Sequence, residues 1–499
     1  MTMIIVIGTF SPFAHATSDQ ISFSKNDLRE EAFRKIEPEV MNELEKEDFV
    51  EVLVYMKDQV NTEMIAKATK NAIKDIMTPY RVKLEVRKGV VEALKDTAEK
   101  TQGDLIKYLK QQVSKGNVVE YKPYYIVNMI YVKGTRDVIE NIAYRAEVER
   151  IYKNNTYQLD NVLTSSEYIE ITNSEIEWNV ARVGADRVWD MGFDGTGIVV
   201  GAIDSGADWT HPALQSKWRG YNPETGETDP SKSWYDPQFN SPLPQDSNIH
   251  GTHVIGTMVG SEPNGSNKVG VAPGAKWIAA RVFDYSGTTT GDVLLDAAEW
   301  MLAPGGDPTA APDIINNSWG GLDGIDNWFR GAVRAWRAAE ILPVFAAGNQ
   351  RPDEPPPWPG SISCPANYPE SFAVAATDRN DKRASFSKLG PSPYGESLVK
   401  PDISAPGVGI RSSVPYGGYD YSDGTSMAAP AVSGVAALLL SANASLTIED
   451  IEEILISTAE PLTDKDYPKS PNYGYGYGLV NAYEAVSLAV SGSGTIRGR

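Results

Sequence analysis

Three segments of this 499-residue chain carry side chains of the types used in nucleophilic catalysis. Asp204 directly follows the apolar run 198–203, His250 opens a further apolar segment, and Ser426 precedes a third at residues 431–440. A serine hydroxyl is a weak nucleophile at neutral pH. It needs an imidazole to accept its proton and a carboxylate to orient that imidazole. The order Asp, His, Ser along the chain is compatible with this chemistry.

Each of these residues also has a simpler interpretation. Asp204 could be a loop or helix-capping aspartate, and Ser426 could be an ordinary N-cap. His250 and His253 have the i, i+3 spacing that two ligands of a metal site can have. The chain has only 4 histidines, and these two have no adjacent cysteine or acidic ligand, so the sequence does not favour zinc.

The surroundings of Ser426 favour a functional role. Residues 431–440 are apolar on nearly every side of a helix, so that helix must be buried. Ser426 would lie at its N-terminus, where free backbone N–H groups and the helix dipole stabilise a developing oxyanion. Pro430 is compatible with an early helical turn, because the N–H groups of that turn lack partners.

The elements that must position these residues alternate between strands and helices. From about residue 176 onward, short apolar runs alternate with helical patterns, and the runs span residues 198–203, 277–283 and 342–347. They indicate an α/β fold with a parallel sheet covered by helices on both faces. Functional residues in such sheets collect beyond the carboxyl ends of the strands. Residues 221–246 are interpreted as a surface insertion.

Residues 17–160, here called the N-terminal module, predict a separate small α+β fold. Strands are predicted where β-branched and aromatic residues cluster, and helices where Lys and Glu accompany apolar residues at helical spacing. The predicted strands span residues 49–56, 124–132 and 148–152, and the predicted helices span residues 63–115 and, capped by Thr135, about 136–146. Nothing in this module indicates catalysis. Residues 161–175 are interpreted as a linker.

Composition limits the partners and the compartment. Residues 161–499 carry 41 acidic and 22 basic side chains, which argues against nucleic acid because phosphate contacts need Lys and Arg. Cys364 is the only cysteine, so no intrachain disulfide and no cysteine-based zinc cluster can form. Residues 3–13 are mostly apolar and are followed by AHA, the small-x-small pattern of a signal-peptidase site. We therefore expect export, and no membrane partner.

Three motifs surround the candidate residues: AIDSG at 202–206, HGTHV at 250–254 and GTSMAAP at 424–430. They resemble the signatures of the subtilisin family of serine proteases, the subtilases, and in particular its bacillopeptidase F branch. The resemblance implies a subtilisin-like three-layer α/β domain with a mainly parallel sheet, preceded by a small α+β ferredoxin-like domain. It also implies that Ser426 forms an acyl-enzyme, that His250 accepts the serine proton and that Asp204 orients the imidazole.

The same resemblance assigns further site residues. Asn349, in the segment FAAGN, matches the asparagine whose side-chain amide donates to the oxyanion. Two segments match those that pair with an extended peptide substrate. Their residues are Ser318, Trp319 and Gly320 on one side and Gly287 and Thr288 on the other. Trp319 stands where the family often has a smaller apolar residue.

The N-terminal module resembles the inhibitory propeptide of subtilases. The implied division of the chain is signal peptide 1–16, propeptide 17–160, linker with a processing site 161–175, catalytic domain 176–490 and tail 491–499. We expect the chain to cut itself between about residues 155 and 176, with Leu159, Leu163 or Tyr168 in the primary pocket. Subtilases often bind structural calcium, and residues 262–268 occupy one such position, although the sequence names no metal ligands.

These observations predict a secreted, monomeric serine endopeptidase of broad specificity, made as a zymogen. Its partners would be protein and peptide substrates and its own propeptide, and catalysis would need no cofactor. Two alternatives stay open. A non-catalytic peptide-binding or scaffold protein of the same fold would be favoured by loss of a site residue, and none is lost. An exopeptidase would need a group that captures a free substrate terminus, and the sequence shows no motif for one.

Overall fold

The computed structural model of the chain describes residues 25–159, 176–351, 353–395 and 397–492. The signal peptide and the linker expected at 1–16 and 161–175, with Leu163 and Tyr168, lie outside the described residues. Two main sheets organise the described part of the chain. One has four strands and belongs to the N-terminal module, and the other has seven strands and belongs to residues 176–490, here called the C-terminal unit.

The N-terminal module is a four-stranded antiparallel sheet with helices. Its elements are α1 Lys25–Arg34, α2 Pro38–Leu44, β1 Val50–Met56, α3 Thr62–Ile73, α4 Pro79–Ser114, β2 Val118–Tyr124, β3 Met129–Gly134, α5 Arg136–Ala143, β4 Val148–Lys153 and β5 Thr156–Gln158. The strand order β2-β3-β1-β4 is the expected ferredoxin-like arrangement. Alternation along the strands puts Val52 and Val54 in the module's own core, whereas Leu53 packs with residues of the C-terminal unit.

Two details of the predicted module are wrong. The single strand predicted at 124–132 is the end of β2, a turn and the start of β3, because the sheet continues through a hairpin. The helical stretch 63–115 is two helices, α3 and α4. Thr78 caps the second one by accepting the N–H of Arg81, and Pro79 occupies its first turn, where its missing N–H costs nothing.

The C-terminal unit is built on a parallel sheet. Its elements are α6 Trp178–Arg182, α7 Ala185–Asp190, β6 Val199–Asp204, β7 Trp234–Tyr235, α8 His250–Val259, β8 Lys276–Arg281, β9 Thr288–Thr290, α9 Gly291–Leu302, β10 Ile314–Asn317, α10 Arg330–Ala338, β11 Leu342–Ala346, β12 Phe372–Thr377, β13 Ile403–Pro406, β14 Ile410–Val414, β15 Gly418–Ser422, α11 Thr425–Ala442, α12 Ile448–Ser457 and α13 Ala482–Val490.

The sheet lies between two layers of helices. Its order is β13-β12-β11-β10-β6-β8-β7, and all of its strand pairs are parallel. One face packs against α8 and α11, and the other packs against α9 and α10. The apolar core on the α9 and α10 side continues into the N-terminal module. The predicted three-layer α/β fold is therefore confirmed.

The helix α11 contains the buried apolar segment predicted at residues 431–440. It is long and apolar enough to cross a membrane, but 89% of it is buried inside the protein. Residues 221–246, by contrast, are not only a surface insertion. They supply the edge strand β7, and Asp236 forms an ion pair with Arg281 in which both side chains are 1% exposed. Because this aromatic strand is short and lies inside a charged loop, its sequence has no alternating pattern from which the strand could be predicted.

Candidate active site

Asp204 and His250 form a buried pair at the carboxyl edge of the parallel sheet. Asp204 is the last residue of β6, and His250 is the first residue of α8. The Nδ1 atom of His250 lies 2.7 Å from Oδ1 of Asp204, and both side chains are 1% exposed. The same Oδ1 accepts the backbone N–H of Ser205 at 2.7 Å. The pair fixes the imidazole with Nδ1 on the carboxylate and Nε2 directed away from it.

A second carboxylate braces this pair, and sequence reasoning missed it. Asp246 accepts the hydroxyl of Ser205 at 2.7 Å and the backbone N–H of Thr252 at 2.8 Å. The hydroxyl of Ser205 in turn accepts the N–H of Gly251 at 2.9 Å. These bonds tie the residue after Asp204 to the first turn of α8. Asp246 lies four places before His250, and that closeness was its only signal in the sequence.

His253 serves a different purpose from His250. Its Nε2 lies 3.0 Å from the carbonyl oxygen of Ile410 and 3.2 Å from that of Asp420, which fixes the segment around β14 and β15 against α8. Burial lowers the pKa of His253 to about 4, so the ring is neutral. Within the described ranges, no group of three or more His, Cys, Asp or Glu residues could hold a metal ion.

Ser426 is the second residue of α11, and its backbone and side chain are both bonded to Ser318. The Oγ of Ser426 donates to the carbonyl oxygen of Ser318 at 3.1 Å, and the Oγ of Ser318 donates to the carbonyl oxygen of Ser426 at 2.8 Å. Pro430 explains the second bond. It is the sixth residue of α11, later than predicted, and it removes the helical N–H that would bond the carbonyl of Ser426. The hydroxyl of Ser318 takes that place.

Asn349 lies beside the start of α11. It follows β11, and its Oδ1 accepts the N–H of Thr425 at 2.9 Å and the hydroxyl of Thr425 at 2.8 Å. Because the amide oxygen is committed to Thr425, the Nδ2 group is directed away from that residue. Gly348 reaches this turn with φ +100°, a conformation that favours glycine.

The segments around Gly287 and Gly320 enclose an extended stretch of the chain itself. β5 pairs antiparallel with β9, with Gln158 opposite Thr288, and the N–H of Leu159 donates to the carbonyl oxygen of Gly287 at 2.8 Å. On the other side, a Cβ on Gly321 would lie 2.7 Å from the ring of Tyr157. A cavity of about 640 Å³ lies beside this stretch and is lined by Asn349, among others.

Residues 195–478 match the profile of the Subtilase family. The chain belongs to the subtilase family of serine proteases. It is 46% identical to Bacillopeptidase F of Bacillus subtilis strain 168 over all of this chain and 36% of that protein. It is also 32% identical to Subtilisin NAT of Bacillus subtilis subsp. natto over 62% of this chain and 71% of that protein. The chain thus spans about a third of the length of Bacillopeptidase F.

Trp319 is one of two predicted substrate-binding residues of this subtilase that are buried, the other being Ser318 at 1% exposure. Its side chain is 3% exposed, and its ring packs edge-on against Phe329 and Phe345 at centroid distances of 5.5 and 5.8 Å. Burial of this large apolar ring is favourable, because it removes apolar surface from water. The ring of Trp319 therefore packs in the core and does not line the cavity beside β5.

The side chains of residues 262–268 do not fit a calcium site. Both carboxylate oxygens of Glu262 already accept hydrogen bonds, from Asn267 and Tyr419 at one oxygen and from Ser266 at the other. The Oδ1 of Asn267 accepts from the guanidinium of Arg411 at 3.0 Å. Calcium needs several oxygens directed at one point, and here the oxygens already accept hydrogen bonds. The fixed guanidinium of Arg411 beside them would also repel a cation.

Proposed function

We propose that this subtilase is a secreted serine endopeptidase whose nucleophile is Ser426. In this mechanism the Ser426 hydroxyl turns from the Ser318 carbonyl to His250, which takes its proton as the oxygen attacks the substrate carbonyl. The imidazolium then protonates the leaving amine, and water releases the acyl group by the reverse route. Asp204 keeps the imidazole in the tautomer and orientation that both steps need. These steps use only side chains and water.

Asn349 is proposed to stabilise the negative charge that forms on the substrate carbonyl oxygen. Because the amide oxygen of Asn349 accepts two hydrogen bonds from Thr425, the orientation of its Nδ2 donor group is fixed. A fixed donor needs no reorganisation during the reaction. Ser426 is the second residue of α11, so the free N–H groups and the dipole of that helix also favour the oxyanion. The two contributions act on the same atom.

Protein substrates are proposed to bind as an extended strand between β9 and residues 318–321. The observation that carries this proposal is the position of β5, which pairs through its backbone with β9 and packs against Gly321. Backbone pairing is independent of side chains, so most positions of the substrate would accept many residues. Specificity is then left to individual pockets along the cleft.

The N-terminal module is proposed to be an inhibitory propeptide that the chain cuts from itself between residues 155 and 176. Its β5 and Leu159 occupy the cleft as a bound product would, and its sheet packs on α9 and α10. Inhibition would end when the freed module is degraded. Cleavage in this range yields fragments of roughly 140 and 330 residues after removal of the signal.

One set of measurements tests the proposal. Purified protein is incubated with casein and with a serine-directed fluorophosphonate, and the adduct is located by mass spectrometry. We expect casein hydrolysis, an adduct on Ser426 and two fragments, the larger beginning within residues 156–177. The Ser426→Ala variant, produced in a protease-free host, should remain uncut. An adduct elsewhere, or equal cutting of Ser426→Ala, contradicts the proposal.

A peptide series separates the endopeptidase from an exopeptidase. Blocking both termini of an internal-cleavage substrate should leave its hydrolysis unchanged, because no terminal charge is needed for strand pairing. Hydrolysis that requires a free terminus would favour the exopeptidase instead. A protein that binds peptide without hydrolysis and without an adduct would be the non-catalytic alternative.

A further inference from the structure

The part of the cavity beside β5 that is lined by the segments of Gly320 and Asn349 and by Lys388 is here called the slot. A Cβ on Gly320 would lie 3.0 Å from Cβ of Ser363, and one on Gly348 would lie 2.2 Å from its Oγ. Ser363 therefore packs directly against both glycines, and a side chain at either position would collide with it. Asn349, the proposed oxyanion donor, directly follows Gly348 in the chain.

Lys388 lines this slot and contacts Ser363. Its Nζ donates to the Oγ of Ser363 at 3.0 Å, and its backbone N–H donates to the carbonyl oxygen of Gly348 at 3.1 Å. Its stem lies along the wall, since a Cβ on Gly348 would be 2.9 Å from Cδ of Lys388. The side chain is partly buried, so the ammonium group is held in place rather than extended into solvent.

This ammonium group has no acidic partner within the described residues. Glu354 lines the same cavity, but its carboxylate accepts from Gln350 at 2.9 Å and from the N–H of Arg351 at 3.1 Å. Asp326 bonds the N–H of Trp328 at 3.3 Å, and burial raises its pKa to about 6. Both of these nearby carboxylates have other partners, whereas the ammonium group of Lys388 donates to Ser363.

The direction of the cleft peptide leads to this slot. Leu159 faces the opposite wall, since a Cβ on Gly287 would lie 3.5 Å from Cβ of Leu159. Side chains alternate along an extended strand, so a substrate residue one place after the position of Leu159 turns away from Gly287. The cavity that lies beside this stretch is lined by Gly320, Asn349 and Lys388. In this sequence the residue after Leu159 is Asp160, which lies outside the described residues.

We propose that Lys388 makes this slot select an aspartate or glutamate at the substrate residue whose carbonyl is cleaved. The proposal rests on the proposed function. It adds a preference for one acidic side chain to a cleft that otherwise binds the substrate through backbone hydrogen bonds. A carboxylate entering the slot would accept a charge-assisted hydrogen bond from the ammonium group. The corresponding amide substrate has the same shape but lacks the charge, so the two substrates isolate the effect of Lys388.

The test compares blocked p-nitroanilides of the sequence Tyr-Gln-Leu-X, with X as Glu, Gln, Asp, Asn or Leu. Because hydrogen bonds to charged groups contribute about 1.5–3 kcal/mol, we expect kcat/KM for Glu to exceed that for Gln by about 10–100-fold. Lys388→Met keeps the stem and removes the charge, so the ratio should fall to about one. Lys388→Glu should favour X as Lys or Arg. Lys382→Met, an exposed lysine of the same loop, is the matched control and should keep the parent ratio.

The outcomes separate this inference from the proposed function. A parent enzyme that cleaves the Leu substrate but shows equal kcat/KM for Glu and Gln overturns the acidic preference alone. A preference that survives in Lys388→Met overturns the role of Lys388. If that variant does not fold, loss of the parent's Glu preference at high salt supports the charge interaction, and a salt-independent ratio overturns it. No cleavage of any substrate or of casein contradicts the proposed function itself.

Discussion

The C-terminal unit and the N-terminal module use their sheets in different ways. In the C-terminal unit, Asp204, Ser318 and Asn349 all lie at or just beyond the carboxyl ends of neighbouring parallel strands. In the N-terminal module, the residues that contact the other unit are spread over β1, α3, α4, the turn after β2 and β5. The first arrangement gathers the candidate catalytic residues at one edge of the sheet, whereas the second distributes the contact residues over a broad surface. The edge site of the C-terminal unit can be recognised from its residue types. The contact face of the N-terminal module can be recognised only from what packs against it.

The face of the N-terminal module that meets the C-terminal unit is rich in bonds to backbone groups. Arg87 of α4 is 3% exposed, and its guanidinium donates to the carbonyl oxygens of Ala339, Ala311 and Pro312 at 3.0, 2.9 and 2.8 Å. In the opposite direction, Glu299 of α9 accepts the N–H of Tyr125 at 2.6 Å. Each unit thus satisfies backbone groups that the other leaves open.

The largest expected effect concerns the edge site. Asp204→Asn should lower kcat/KM by about 10⁴-fold with the fold intact, because an amide can hold the imidazole in the wrong tautomer. Steady-state kinetics on a p-nitroanilide and a thermal melt measure the two properties. Asp229→Asn, a change on an exposed loop, is the control. Near-parent activity in Asp204→Asn would remove this residue from the mechanism.

A smaller effect is expected beside Ser426. Asn349→Ala should lower kcat by about 10²–10³-fold, the effect expected for loss of one oxyanion donor, with little change in KM. The reason is that its amide is proposed to bond the oxyanion and not the ground-state substrate. A variant with altered KM and unchanged kcat would show that Asn349 binds substrate instead. Separate kcat and KM values decide between these outcomes.

The binding face is expected to depend on Arg87. Arg87→Ala leaves three carbonyl groups without their donor, so the cleaved module should dissociate on the order of 10²-fold faster. The rise of peptidase activity after dilution of the processed protein measures this rate. The neighbouring Lys88 pairs with Glu85 of its own helix, and Lys88→Ala should leave the rate unchanged. Equal rates in both variants would mean that Arg87 does not hold the module.

The smallest expected effect is a pH dependence of the same interface. Burial against the module raises the pKa of Glu299 from 4.5 to about 7, with Asp296 and Lys122 as its charged neighbours. Once the module leaves, Glu299 should regain its ordinary pKa, so association takes up a proton. Its favourable contribution is complete below pH 4.5 and is lost as the pH rises through about 7.

Inhibition should therefore weaken by about tenfold or more between pH 5 and pH 8. Inhibition constants measured over this range check the prediction. The glutamine side chain of the Glu299→Gln variant does not titrate, so its inhibition constant should vary much less with pH. A parent profile that is flat, or that strengthens toward pH 8, would contradict the assignment to Glu299.

The sequence by itself determined the family, the α/β class of the C-terminal unit and the four candidate residues Asp204, His250, Asn349 and Ser426. Motifs of this kind are local, and the near-continuous apolar runs before Asp204 and Asn349 predict buried parallel strands. The order of the N-terminal strands also followed from the resemblance. The hairpin within 118–134 did not, because β-branched residues continue on both sides of its turn and nothing local marks the break.

Only the tertiary structure decided which distant residues face the candidate site. Asp246 braces the His250 helix, Trp319 turns its ring into the core, and Lys388 contacts Ser363 beside Gly348. A charged or aromatic side chain gives the same local signal whether it lies in solvent, in a core or in a cleft. The difference arises from what the folded chain places opposite it, and that depends on contacts between residues far apart in the sequence.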